Sequence, residues 1–231
     1  MSLWSLFYEN PGKDVFKWSH YLPIYEKHFQ RYVNKPLTVL EIGCLHGGSL
    51  QLWKRYFGPH ATILGIDIEP TCIAHVEDQI NIRIGSQNDK EFLKSIIDEF
   101  GPFDLVVDDG SHISADQIIS FNALFDHVKE DGIYVVEDLH TNYWEECDGG
   151  VGKPGTFIET TKHLIDELNA YHTRGALGVT RFTNTAASIH CYDSMVFIEK
   201  AKLSPRRDLI VGNRDGQRVR RQVQYLPHQS V

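Results

Sequence analysis

Two acidic pairs stand at the ends of two apolar runs: Asp108-Asp109 after residues 103–107, and Glu137-Asp138 after residues 133–136. Adjacent strands of a sheet lie about 4.8 Å apart. If the two runs are neighbours, four carboxylates converge at one sheet edge. Like charges so placed repel and raise one another's pKa unless something positive lies between them. A divalent cation meets that need, and oxygen ligands without a cysteine select a hard ion, Mg2+, with Mn2+ or Ca2+ as substitutes. The ordinary alternative for such acids is to cap the next helix. Ser114, with Gln117 three residues later, already supplies a capping-box pattern there. His112, three residues past Asp109, shares the loop, where a neutral imidazole can serve as a general base. His140, two residues past Asp138, is a second candidate, with loop packing as its alternative.

A glycine loop forms the other constellation. The run 38–42, which contains Glu41, opens into Gly43-Cys44-Leu45-His46-Gly47-Gly48-Ser49. Glycine lets backbone approach a ligand, and the following helix offers free N–H groups. Asp67 closes the next apolar run 24 residues past Gly43, where a carboxylate accepts from ribose hydroxyls. The spacing Gly43-x-x-x-Gly47-Gly48 departs from the G-x-G-x-x-G of dinucleotide binders. That departure favours S-adenosylmethionine, which has no pyrophosphate to cradle, over a nicotinamide dinucleotide. Glu41, a charge inside a strand end, suits pairing with loop amides or the ligand's ammonium group. A tight turn is the plain alternative for Gly47-Gly48.

The elements that must hold these residues alternate. Short apolar runs at 38–42, 62–66, 80–84, 103–107 and 133–136 are separated by helical periodicities, such as Phe92, Leu93, Ile96 and Ile97 on one face. Tyr21, Ile24, Tyr25, His28, Phe29 and Tyr32 predict a further helix before them, and a helix is expected from about Thr156 to Tyr171. Residues 188–192 and 195–200 read as an antiparallel pair. Five βα units followed by a hairpin predict an α/β fold: a doubly wound, Rossmann-like, mostly parallel sheet with a C-terminal antiparallel hairpin. Ligands in such sheets bind beyond the C-terminal strand ends, where the strand order reverses. The expected division is an N-terminal helical or lid segment (1–35), the α/β domain (36–203) and an arginine-rich tail (204–231).

Length, at 231 residues, suits one such domain, and 42% hydrophobic content allows a large core. The net charge of -8 is uneven: residues 206–221 hold six arginines against Asp208 and Asp215, which is +4, so the remainder carries -12. An acidic body disfavours nucleic acid, whose phosphates need a basic face. The tail reads as a solvated extension, with a subunit contact as the main alternative. Cys44, Cys72, Cys147 and Cys191 stand apart without a C-x-x-C pair, so neither a disulfide framework nor a zinc cage is expected. No apolar run reaches the roughly 20 residues of a bilayer span, and the first residues lack signal-peptide character. A cytoplasmic protein, with no membrane or nucleic-acid partner, is expected.

The segments EIGCLHGGS, DDGSH, YVVEDLHTNYW and SIHCYDSMVFIEK together resemble the Mg2+-dependent, mycinamicin-type sugar O-methyltransferases of macrolide biosynthesis. Cephalosporin-tailoring methyltransferases share a related core. The likeness covers roughly residues 36–200, DDGSH and EDLHT are its most specific parts, and it implies that 36–203 is a methyltransferase domain with a class I methyltransferase sheet. It implies Asp109, Glu137 and Asp138 as metal ligands and His112 as the base. It places Glu41, Gly43, Cys44, His46, Gly47, Ser49, Asp67, Ser86 and Gln87 around S-adenosylmethionine. Asp108 is expected on the cofactor or acceptor side as electrostatic support for catalysis. The implied acceptor is a small hydroxylated molecule, such as a glycosylated natural product, acted on by a homo-oligomer. Aromatic residues Trp4, Phe7, Tyr8, Phe16, Trp18, Tyr143 and Trp144 are candidates for a lid over it. A nicotinamide oxidoreductase and a non-catalytic nucleotide-binding subunit are the rival readings.

Overall fold

The computed structural model describes residues 2–204, 206–214 and 217–224. Its central sheet contains β1 (Leu37–Ile42), β2 (Ala61–Asp67), β3 (Ile80–Ile84), β4 (Phe103–Asp108), β5 (Val128–Val136), β6 (Ala186–Tyr192) and β7 (Met195–Lys200). The order is β3-β2-β1-β4-β5-β7-β6. Strands β1 to β5 run parallel, and β7 lies antiparallel to both β5 and β6. This is the expected doubly wound sheet with a C-terminal antiparallel pair.

Side-chain alternation along the central strands builds two cores. Val39, Leu105, Val107, Ile133 and Val135 face α2 (Tyr21–Phe29) and α3 (Gly48–Phe57), packing with Tyr25, Phe29, Trp53 and Phe57. Leu40, Val106, Tyr134 and Val136 face the other way, toward Phe121, Leu124 and Phe157 of α5 (Ser114–Leu124) and α6 (Phe157–Leu168). Both faces being covered explains why the strands read as continuous apolar runs. A short α1 (Leu3–Tyr8) anchors through fully buried Leu3, and α4 (Lys90–Phe100) buries Leu93 and Ile96.

Local signals set the helix ends. Gly58, at φ 86°, caps α3 with its N–H on the Lys54 carbonyl. Thr156 caps α6 by accepting from Glu159 N. That helix ends at Leu168, and Ala170–His172 form a 3-10 turn rather than its continuation. The Ser114–Gln117 capping box does not form. Ile113 occupies the cap position, Ser114 Oγ is buried without a partner, and Gln117 Oε1 accepts from Asn142 instead. A five-residue helix, α7 (Arg181–Thr185), lacks a periodic signal and is fixed by a Thr180–Thr183 capping box.

The arginine-rich segment is not a plain extension, because β8 (Arg207–Arg214) pairs antiparallel with β9 (Gln217–Gln224) in a separate two-stranded sheet. The last seven residues of the expected tail lie outside the described residues. Among the described residues, no helix is long and apolar enough to cross a membrane.

Register aligns the site. Ile42 pairs with Asp108, and Asp108 with Val136, so the loops after β1, β4 and β5 leave the sheet at one edge. The strand order reverses between β1 and β4, at the base of that edge.

Candidate functional site

A cleft of about 800 Å³ opens beyond this edge. One half is made of backbone. Gly43, at φ 81°, turns the chain out of β1 so closely that a Cβ there would lie 2.2 Å from the Asp109 carbonyl oxygen. Gly47, at φ 72°, caps α3 in the left-handed region, which glycine adopts without strain. Asp67 Oδ2 accepts from Cys44 N at 2.9 Å and Leu45 N at 3.0 Å, and Oδ1 accepts from Glu69 N at 3.0 Å. Burial alone would raise the Asp67 pKa, but the three amides outweigh it and hold it below the usual carboxylate value. Its carboxylate therefore stays ionised at the cleft wall, able to accept from hydroxyl groups. Ser86, Gln87, Cys44, His46 and Ser49 line the same half.

The other half holds the acids. Asp109, Glu137 and Asp138 all reach the cleft. Ligand atoms of Asp109, His112 and Asp138 lie within 4.8 Å of one another, the spacing of a metal-binding group. His112 Nε2 sits 3.9 Å from Asp109 Oδ1 and 3.8 Å from Asp138 Oδ2, while its Nδ1 is buried without a partner. His112 (φ 59°) and Asp138 (φ 54°) both occupy the left-handed region, which turns their side chains toward each other across the strand ends.

Glu137 is held differently, by residues from before the first strand. Lys17 Nζ lies 2.7 Å from Glu137 Oε1 and 3.6 Å from Glu41 Oε1, and it donates to Asp109 Oδ2. Tyr25 Oη donates to the same Glu137 oxygen, and Tyr21 Oη donates to Asp138 Oδ1 at 2.7 Å. Lys17, Tyr21 and Tyr25 are spaced by four and reach three neighbouring carboxylates. Burial and the nearby Asp109 raise the Glu137 pKa, with Lys17 and Tyr25 opposing. Burial disfavours the Lys17 charge, but Asp109, Glu137 and Glu41 outweigh it and raise its pKa.

Three expected residues sit outside the cleft lining. Asp108 is fully buried, because strand alternation turns it to the opposite face of the sheet from Asp109. Gln87 Nε2 at 3.0 Å and Ser120 Oγ at 2.5 Å donate to it, and Gln87 Oε1 accepts from Ser111 N at 2.7 Å. Asp108 is thus an anchor beneath the loop rather than a group facing ligand. Burial pushes its pKa up to about 6 against the hydrogen bonds from Ser120 and Gln87. Glu41 is likewise fully buried, engaged by Ser49 Oγ at 2.6 Å and Trp53 Nε1 at 3.3 Å. Gly47 shapes the loop without lining the cleft.

His140 belongs to an aromatic rim. Its Nδ1 is 2.6 Å from Ser194 Oγ, and its ring lies 5.8 Å from that of Trp18 and 4.9 Å from that of Trp144. Of the aromatic lid candidates, Phe16 and Trp18 line the cleft, whereas Phe7 packs on the core. The sequence reading missed Lys17, Tyr21 and Tyr25. Their spacing of four ahead of an acidic site was the available signal.

The sheet order and its glycine-lined cleft define the class I, Rossmann-like methyltransferase fold. The chain is similar over most of its length to known O-methyltransferases. It is 40% identical over 213 residues to the mycinamicin VI 2''-O-methyltransferase of Micromonospora griseorubida, covering 84% of this chain and 51% of that protein. It is 39% identical over 194 residues to the demethylmacrocin O-methyltransferase of Streptomyces fradiae, covering 78% of this chain and 48% of that one. A methyltransferase of the mycinamycin biosynthetic pathway, solved with Mg, SAH and mycinamycin VI, superposes with a TM-score of 0.76 at 37% identity. That match covers 87% of this chain and 53% of the solved one. The chain thus spans about half the length of the curated relatives it matches. No protein-family model matches it.

Proposed function

We propose that the chain is the methyl-transferring part of a metal-dependent O-methyltransferase that uses S-adenosylmethionine and acts on a sugar hydroxyl of a macrolide or related polyketide. The observation that carries this reading is one cleft with two unlike ends. Asp67 and the glycine loop occupy one, and Asp109, Asp138 and His112 meet within 4.8 Å at the other. The donor set fits a hard divalent ion, because carboxylate oxygens predominate and the group of Asp109, His112 and Asp138 contains no cysteine. When bound, S-adenosylmethionine supplies an electrophilic methyl group, and Mg2+ supplies a Lewis acid that lowers the pKa of a hydroxyl.

The chain's own residues do the rest. Asp67 and the amides of the 43–49 loop would hold the ribose and methionine portions, with Ser86 and Gln87 beside them. Asp109, Glu137 and Asp138 would hold the ion. His112 Nε2, facing the carboxylates without a close hydrogen bond to either, would take the proton of the acceptor hydroxyl. Residues 1–35 form the lid segment over a domain of 36–203, and the working form is a cytoplasmic homo-oligomer. The β8–β9 pair forms a sheet of its own and supports the assembly, since two strands alone are marginal in water.

Incubation with S-adenosylmethionine, Mg2+ and a panel of demethylated glycosyl macrolides should give a product heavier by one methylene, read by mass spectrometry. Calorimetry should show S-adenosylhomocysteine bound at micromolar strength, about 8 kcal/mol. Tight NADH binding with none of S-adenosylhomocysteine would overturn the reading in favour of an oxidoreductase.

A further inference from the structure

Lys17 has no role in the methyl transfer just described, yet its side chain is only 2% exposed. Its ammonium rests 2.7 Å from Glu137 Oε1 and on Asp109 Oδ2, so it neutralises two of the carboxylates proposed to hold the ion. Charge-assisted N–H···O contacts settle near 2.7–2.9 Å, whereas Mg2+ takes oxygens at about 2.0–2.1 Å. An ion that took these two oxygens could not share the gap between them with the ammonium.

The lysine enters on a segment without regular structure between α1 and α2. That segment crosses the cleft. The Lys13 and Asp14 backbone lies directly on Gly48, where a Cβ would sit 1.9 Å from the Asp14 carbonyl oxygen. Outside the cleft it is held by Lys13 N on Gln51 Oε1 and by Arg55 on Asn10 Oδ1. Its other side chains hold it more loosely: Phe16 is 87% exposed, Val15 packs at the edge of the core, and Trp18 is half-exposed against His140. Lys17 is the buried pin at its centre.

We infer that Lys17 is a tethered counter-cation, which pins the strap of residues 10–20 over the cleft until a divalent ion takes Asp109 and Glu137 from it. Ion entry and strap release are then one equilibrium, and coupling of this kind is reciprocal. Tyr25 still holds Glu137 and Tyr21 still holds Asp138 when the ammonium leaves, so the carboxylates remain positioned. The inference rests on the metal reading proposed above.

The test is Mn2+ binding to the full chain by electron paramagnetic resonance without S-adenosylmethionine, comparing wild type with Lys17→Met. The variant should bind Mn2+ at least about tenfold tighter, because the ion no longer displaces a bound cation. In wild type alone, hydrogen exchange of residues 10–20 should accelerate as Mn2+ is added, an arm that stands even if the variant folds poorly. Equal or weaker binding by folded Lys17→Met, or a strap whose exchange is unchanged or slowed by Mn2+, overturns the inference while leaving the metal site intact. Failure of both proteins to bind Mn2+ overturns the metal site and the counter-cation together.

Discussion

The two ends of the cleft are built by different means. Around Asp67 the partners are backbone amides of the neighbouring loop and of its own turn, at sequence separations of 23, 22 and 2. Around Asp109, Glu137 and Asp138 they are side chains from the N-terminal segment, at separations of 92, 120, 117 and 112. The first end follows directly from β1–β2 pairing. The second stands on the ends of β4 and β5, but its acids gain their cationic and hydroxyl partners only once a distant segment docks. A pocket can therefore be half rigid product of the sheet and half conditional assembly, and the two halves should fail separately.

The largest expected separation comes from the ion. Chelation by EDTA, or Asp138→Asn, should abolish turnover while S-adenosylhomocysteine affinity, measured by calorimetry, stays unchanged. Full activity in thoroughly chelated protein would remove the metal from the acidic end altogether. Next is His112→Ala, expected to lose about 10²–10⁴ in rate, the usual contribution of a positioned base. Its Mn2+ and S-adenosylhomocysteine affinities should hold; a near-normal rate would make the imidazole a packing residue. Asp67→Ala works on the opposite end and should weaken S-adenosylhomocysteine by about tenfold, roughly the 1.5 kcal/mol of lost hydrogen bonds to a charged group. If Mn2+ affinity fell equally, the two ends would be one unit.

The smallest effect is in pH. The buried Asp108 carboxyl, pushed up to about 6, binds its proton more tightly in the folded than in the unfolded chain. Its contribution therefore makes stability fall as pH rises from about 4 to about 6, and is level above that. Asp67 has the opposite sign: its lowered pKa stabilises the fold above the ordinary carboxylate value and is lost as pH falls through the lowered one. Thermal unfolding of Asp108→Asn against wild type across that range should show the Asp108 slope removed. Parallel curves would mean that Asp108 is ionised throughout.

The same contrast governs what the sequence made legible. The succession of strands, their C-terminal limits and the glycine loop were readable because alternation, glycine placement and the 24-residue offset of Asp67 from Gly43 are local patterns, whereas the strand order and the start of β5 at Val128 were not. The convergence of Asp109 with Glu137 and Asp138 was readable because strand ends share an edge. Asp108 and Glu41 were placed in the cleft because charge suggested function. Alternation had already assigned Asp108 to the other face, and Ser49 and Trp53 consume Glu41. Lys17, Tyr21 and Tyr25 carried only their spacing of four as a signal, and nothing local ties residue 17 to residue 137. The demand for positive charge among the acids was seen, but the chain's own ammonium was not considered as a source.

His112 and Asp138 both sit where L-amino acids with side chains pay a backbone penalty, on the order of 1 kcal/mol or more each. Glycine at either position would relieve that strain and remove the functional group in the same stroke. Selection for robustness alone would therefore act against this site, and libraries screened for thermal tolerance should enrich glycine at these two positions. On the proposed reading, each dihedral angle exchanges durability for a base or an ion ligand.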